Sequence, residues 1–225
     1  MADPQVQDPM HQIDEYEQSE RVRGWLRQNG SSLITGIALG LACVFGWQWW
    51  NGKGDRHLQE AATQYYSLDQ ALEAKDAGKV KTFASVLKDK YADTAFGDFA
   101  GLREAAFLHE SGKTTEAIAL LQAKKDKVHT PDLQEIYVLR LARLQFIAGK
   151  NQDAKTTLAT LKSPKLGATV EELRGDIEFA LGNRDGARKA YEQALTDLDQ
   201  AAPTRDLLQL KLIEAGGQPP AQPEI

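Results

Sequence analysis

The stretch HESGKTTEA, His109 to Ala117, contains the Gly-Lys-Thr that closes a phosphate-binding loop. Such a loop cradles phosphate oxygens with backbone N–H groups, and it needs a glycine five residues before Gly112 and a strand leading into it. Phe107 holds that position and the flanking sequence has helical periodicity, so the stretch reads as a turn between helices. His11, His57, His109 and His129 are scattered without a ligand spacing such as HExxH, which predicts no metal site. Glu171 and Glu172 are adjacent on a helix and point in different directions. They read as the solvated start of a helix, favourable to its dipole, rather than as an acid–base pair. Cys43 is the only thiol and ends Gly40-Leu41-Ala42-Cys43, a loose lipoprotein box. Gly40 stands where leucine is expected and Val44 to Trp50 continues the apolar run, so Cys43 reads as a small apolar residue in lipid. The sequence therefore assigns no catalytic, cofactor-binding or metal residue and predicts a non-enzymatic protein.

Charge narrows the partners. After residue 52 there are 24 Lys and Arg against 26 Asp and Glu, mixed along the chain, so no basic field exists to gather nucleic acid. The elements that must carry any function are helices, and the first is exceptional. From Gln28 to Gly52 no ionisable side chain occurs, and the run Ser31 to Trp50 covers about 30 Å as a helix, the hydrocarbon thickness of a bilayer. Trp47, Trp49 and Trp50 cluster at its end as interfacial anchors. An uncleaved single span is predicted, because a signal peptide's apolar region is shorter and ends in small residues. Ser32, Gly36 and Gly40 form a small-residue ridge that either packs on another membrane helix or reflects the abundance of glycine in such helices. Arg21, Arg23 and Arg27 before the span, against Lys53 and Arg56 after it, lean toward a cytoplasmic N-terminus without deciding it.

The part before the span divides in two. Residues 1–12, with Pro4 and Pro9, read as disordered, and 14–29 as a short helix ended by Asn29-Gly30. The part after it repeats. Gly78, Gly112, Gly149 and Gly182 are separated by 34, 37 and 33 residues, the period of helix-hairpin arrays. Seven residues before each stands Ala71, Ala105, Ala142 or Gly175, and five after stands Phe83, Ala117, Ala154 or Ala187. Nine after stands Leu87, Leu121, Leu158 or Tyr191. Small residues, Ala194 among them, allow close helix approach and the larger one fills the space against the next hairpin.

This pattern resembles tetratricopeptide repeats, best in GDIEFALGNRDGARKAYEQA, Gly175 to Ala194. The fold predicted is all-α: a single transmembrane helix followed by a tetratricopeptide-repeat-like hairpin array, an α-solenoid. The divisions are a tail over 1–30, a transmembrane helix over 31–50, an array over 53–215 with a last helix from about Thr204 to Glu214, and a flexible tail over 216–225. The first hairpin, with Phe83 where a small residue is usual, matches least.

In this order, SERVRGWLRQNG, LITGIALGLACVFGWQWW and LRGDIEFALGNRDGARKAYEQAL resemble the YfgM family of bacterial envelope proteins over nearly the whole chain. The resemblance implies a type II protein of the bacterial inner membrane, its bulk periplasmic, associated with the SecYEG translocon and the prolyl isomerase PpiD. It also implies a role in passing emerging polypeptides to periplasmic chaperones. A tethered sensor whose cytoplasmic tail restrains an RcsB-type regulator is the alternative. Tyr65, Tyr66, Phe96, Phe99 and Tyr137 could anchor a partner, although aromatic residues at helical spacing are more often core.

Overall fold

A computed structural model describes residues 9–162 and 164–218 of the 225. The chain divides into two compact units, Met1–His57 and Leu58–Ile225. Among the described residues all regular structure is helical: α1 (Pro9–Glu73), α2 (Ala77–Lys90), α3 (Ala95–Glu110), α4 (Thr114–Lys124), α5 (Pro131–Ile147), α6 (Asn151–Leu158), α7 (Gly167–Ala180), α8 (Arg184–Asp197) and α9 (Arg205–Glu214).

The first unit is the leading part of α1. Its segment Arg27–Trp47, with a mean hydropathy of 1.6, is long and apolar enough to cross a membrane, and none of its described side chains is buried. The hydroxyl of Thr35 donates to the Ser31 carbonyl at 2.7 Å, so this polar group is satisfied within the helix itself. Asn29-Gly30 does not end a helix, contrary to the sequence expectation. Asn29 Nδ2 donates back to the Trp25 carbonyl at 3.2 Å and the backbone continues helical through both residues. Of residues 1–12, expected to be disordered, 9–12 have helical backbone and 1–8 lie outside the described residues.

In the second unit, α2 to α9 pack on their neighbours in chain order, and α5 also touches α3 and α7. Four apolar clusters follow one another along the chain. Leu68 and Leu87 belong to the first, Leu121 and Leu141 to the second, Leu158 and Ile177 to the third, Tyr191 and Leu212 to the fourth. Burying an aliphatic side chain of this size is worth about 1.5–3 kcal/mol, so each cluster supplies a local share of the stability. Pro131 opens α5 at its first turn, where its missing N–H would have had no helical partner.

One turn design recurs. Gly112, Gly149, Gly182 and Gly216 have φ of +79°, +73°, +78° and +88°. At the end of α3 the Gly112 N–H donates to the His109 carbonyl (2.9 Å) and Lys113 N–H to that of Leu108 (2.8 Å), which closes the helix on its own last carbonyls. The same pair of bonds closes α5, α7 and α9. It also closes α1, with Lys75 at φ +52° in the glycine's place: Lys75 N–H reaches Leu72 O at 3.1 Å and Asp76 N–H reaches Ala71 O at 3.0 Å. The turn residues are thus Lys75, Gly112, Gly149, Gly182 and Gly216, spaced by 37, 37, 33 and 34 residues.

Candidate functional site

Gly78 is therefore not a turn glycine. It lies in the first turn of α2, where an added Cβ would meet only Asp76 Oδ1 at an ordinary 3.4 Å. The offsets counted from it shift with it. Counted from Lys75, the positions matching Ala105, Ala117 and Leu121 are Leu68, Val80 and Ala84, all buried, so large and small residues have exchanged places in the first hairpin. Ala71 is buried nonetheless, one turn further along α1.

The other predicted small residues fall into two groups. Ala105, Ala117, Ala142, Ala154, Ala187 and Ala194 are 0 % exposed. A Cβ on Gly175 would lie 2.3 Å from the Tyr191 ring, so α7 and α8 approach closely there. Gly112, Gly149 and Gly182 meet nothing within 4 Å. Their role is the left-handed backbone of the turn rather than close packing. Gly36 and Gly40 also face open space, on the exposed segment that includes Trp47 at 68 % exposure; the side chains of Trp49 and Trp50 lie outside the described residues. The tail begins later than 216, since Gly216 and Gly217 complete the closure of α9 and a Cβ on Gly217 would lie 2.3 Å from Leu212 Cδ1.

The chemistry candidates resolve into structure. Gly112-Lys113-Thr114 is the α3–α4 turn, with His109 Nδ1 2.9 Å from Thr114 Oγ1 and no strand among the described residues. Glu171 pairs with Arg174 Nε at 3.0 Å. Glu172 is not a solvated helix start, because it is 2.7 Å from Lys211 Nζ, which also holds Asp176 at 2.9 Å and so links α7 to α9. Among the described residues no group of His, Cys, Asp and Glu is placed to hold a metal ion. Of the aromatic residues, Tyr137 is buried, Tyr65 lies tilted against Phe96 (5.6 Å) and edge-on to Phe99 (6.3 Å), and Tyr66 is 64 % exposed.

Helical spacing builds a groove of about 680 Å³. Lys81, Ala84, Ser85 and Lys88 line it from α2, Asp98, Gly101 and Glu104 from α3, and Leu120, Ala123 and Lys124 from α4. Each set repeats every three or four residues, which puts it on one helix face. Gly101 leaves room for Tyr137, whose hydroxyl donates to the Asp98 carbonyl at 2.6 Å; a Cβ on Gly101 would collide with the Tyr137 hydroxyl oxygen. The ring of Tyr137, arriving from α5, fills the space beside Gly101. Burial and the neighbouring Asp98 and Glu104 push the Tyr137 phenol well above its ordinary range.

Asp98, 3 % exposed, accepts from the backbone N–H of His129 (3.1 Å) and Thr130 (3.4 Å) and so holds the segment entering α5. Lys124 Nζ donates to the Gly97 carbonyl at 2.8 Å. Burial lowers the Lys124 pKa against the pull of Asp98 and Glu104. Burial raises that of Glu104 against the pull of Lys124, Lys88 and Lys81. A second hollow, beside α8 and α9, offers less charge, since Arg205 Nη1 is committed to the Leu195 and Leu198 carbonyls at 3.2 Å. Sequence reasoning missed the groove; its signal was the seven-residue spacing of Lys81 and Lys88 around Ala84.

The family model for the tetratricopeptide repeat-like domain matches residues 23–217. The chain belongs to that family. The matched segment takes in the apolar helix as well as the array. The tetratricopeptide repeat-like chain is similar to the "Ancillary SecYEG translocon subunit" of Haemophilus influenzae, 28 % identical over 82 % of this chain and 90 % of the relative. The Escherichia coli protein of the same name is 28 % identical over 88 % and 95 %, and that of Aggregatibacter actinomycetemcomitans 24 % over 89 % and 97 %. These matches agree with the resemblance carried by the sequence motifs. No solved structure gives a significant match.

Proposed function

We propose that this chain is a membrane-tethered, non-catalytic scaffold that associates with the SecYEG translocon and helps pass newly translocated polypeptides to periplasmic chaperones. The observation that carries this reading is the near full-length similarity, apolar helix and array together, to three proteins named as ancillary translocon subunits. The helix anchors the chain in the inner membrane with the array on the periplasmic side. A partner held in the same membrane then meets the array at high effective concentration, so a weak interface suffices. PpiD is such a partner, and Gly36 and Gly40 form the ridge that packs against a neighbouring membrane helix.

Affinity purification from mildly solubilised membranes tests this. SecY and PpiD should be recovered with the full chain, and Gly36→Leu with Gly40→Leu should lower their recovery while leaving insertion intact. Photocrosslinks from the array should reach translocating chains. Absence of SecY from the purified material would sink the reading.

A further inference from the structure

We propose that the groove between α2, α3 and α4 receives an extended polypeptide segment in which an acidic side chain follows every two aliphatic ones. This deepens the scaffold reading, and rests on it, by naming the kind of chain the array holds.

The charges point to an acidic occupant. Lys81, Lys88, Lys124 and Lys127 all border this one hollow, and among the described residues none of them has a carboxylate at ion-pair distance. Elsewhere among the described residues Lys79, Lys125, Lys155, Lys165 and Lys211 are paired while Lys75, Lys113, Lys150, Lys162 and Lys189 are not, so what sets the four apart is that they gather around one hollow. The groove's own two carboxylates, Asp98 and Glu104, answer the four ammonium groups only in part. Asp98 is buried and occupied by the N–H groups of His129 and Thr130, which leaves half-buried Glu104 as one carboxylate among four lysines.

The lining points to a polypeptide rather than a bare anion. Ala84, Ala92, Gly101, Leu120 and Ala123 offer small or apolar surface between exposed Lys81, Lys88 and Lys127. A segment lying there can bury aliphatic side chains while its carboxylates meet the rim, the combination that polymers of phosphate cannot offer. Spacing adds a rule. Lys81 and Lys88 are seven residues apart on α2, about 10.5 Å along the helix axis, close to the about 9.3 Å over which a polyproline II chain returns every third side chain to the same side. Carboxylates three residues apart therefore match the two lysines.

The test uses the full chain in detergent and a fluorescein-labelled peptide in which glutamate follows every two aliphatic residues. Anisotropy should report saturable binding that weakens as salt rises, since rim charges are screened. The glutamine counterpart should bind about tenfold more weakly. Lys88→Glu with Lys127→Glu should weaken the acidic peptide by a similar factor, while Lys162→Glu with Lys189→Glu, outside the groove, changes it less than about twofold. Both pairs are exposed, and circular dichroism confirms that each variant is folded. Equal binding of the glutamine peptide, equal loss from both lysine pairs, or full competition by inorganic polyphosphate would overturn the proposal. Recovery of SecY with the Lys88→Glu, Lys127→Glu chain separates the two readings. If SecY is retained while the acidic peptide fails to bind the native chain, the groove proposal falls alone; if SecY is never recovered but the peptide binds, the scaffold reading falls alone.

Discussion

Lys75 and Glu104 show how much one position can decide. A lysine at φ +52° carries a Cβ into a left-handed turn, a conformation that costs about 1–2 kcal/mol outside glycine. Because the same turn elsewhere uses Gly112, Gly149, Gly182 and Gly216, Lys75→Gly should stabilise the array by about 0.5–1 kcal/mol, read as a raised midpoint in urea. An unchanged or lowered midpoint would mean that Lys75 gains from contacts that outweigh the strain. Glu104 makes a prediction in pH. Burial raises its pKa in the folded protein above the value in the unfolded chain, so its contribution to stability is most favourable at low pH and is lost as pH rises through the folded pKa. Glu104→Gln should therefore melt higher than the parent at neutral pH, and the gap should close as pH falls through the raised pKa. A gap that widens on acidification would reverse the assigned cause.

Close approach of helix pairs decides what a helix here can tolerate. Gly175 on α7 faces the ring of Tyr191 on α8, whose hydroxyl donates to Asp176 at 2.9 Å and is thereby fixed. The ring cannot swing away without losing that bond. Gly175→Ala should cost about 1–3 kcal/mol, and Ala187→Leu, at a fully buried position on the same pair, should cost at least as much. Gly78→Ala is the contrasting case. Its Cβ has room, and alanine is better in a helix by up to about 1 kcal/mol, so thermal melting should rise. Hydrogen exchange should show the Gly175→Ala damage spreading to the preceding hairpin near Gly149, because each hairpin is stabilised by its neighbours.

The four apolar clusters begin at Ala61, so all the packing seen in the second unit is made by residues that follow the apolar helix. A fragment spanning 58–218 should be soluble and helical and should melt cooperatively. Aggregation of the fragment at low concentration would show that the array depends on the membrane segment.

Much of this was legible in the residues alone. The charge-free run marks the apolar helix, because length and hydropathy suffice for that inference. The periodic glycines mark the hairpins, because only glycine enters the left-handed turn without strain, and the last helix follows from Thr204 and the glycines after Glu214. What tertiary structure alone decided is the first hairpin's register. Gly78 preserves the spacing, yet the turn falls on Lys75, since a backbone closed by two hydrogen bonds can impose a positive φ on a lysine, and Leu68 with Ala84 conserve the volume that the pattern expects in opposite order. The groove was hidden for a related reason. Its walls come from three helices whose lining residues are each unremarkable in sequence, and a lysine is identified as unpaired only when the carboxylates around it have been placed in space.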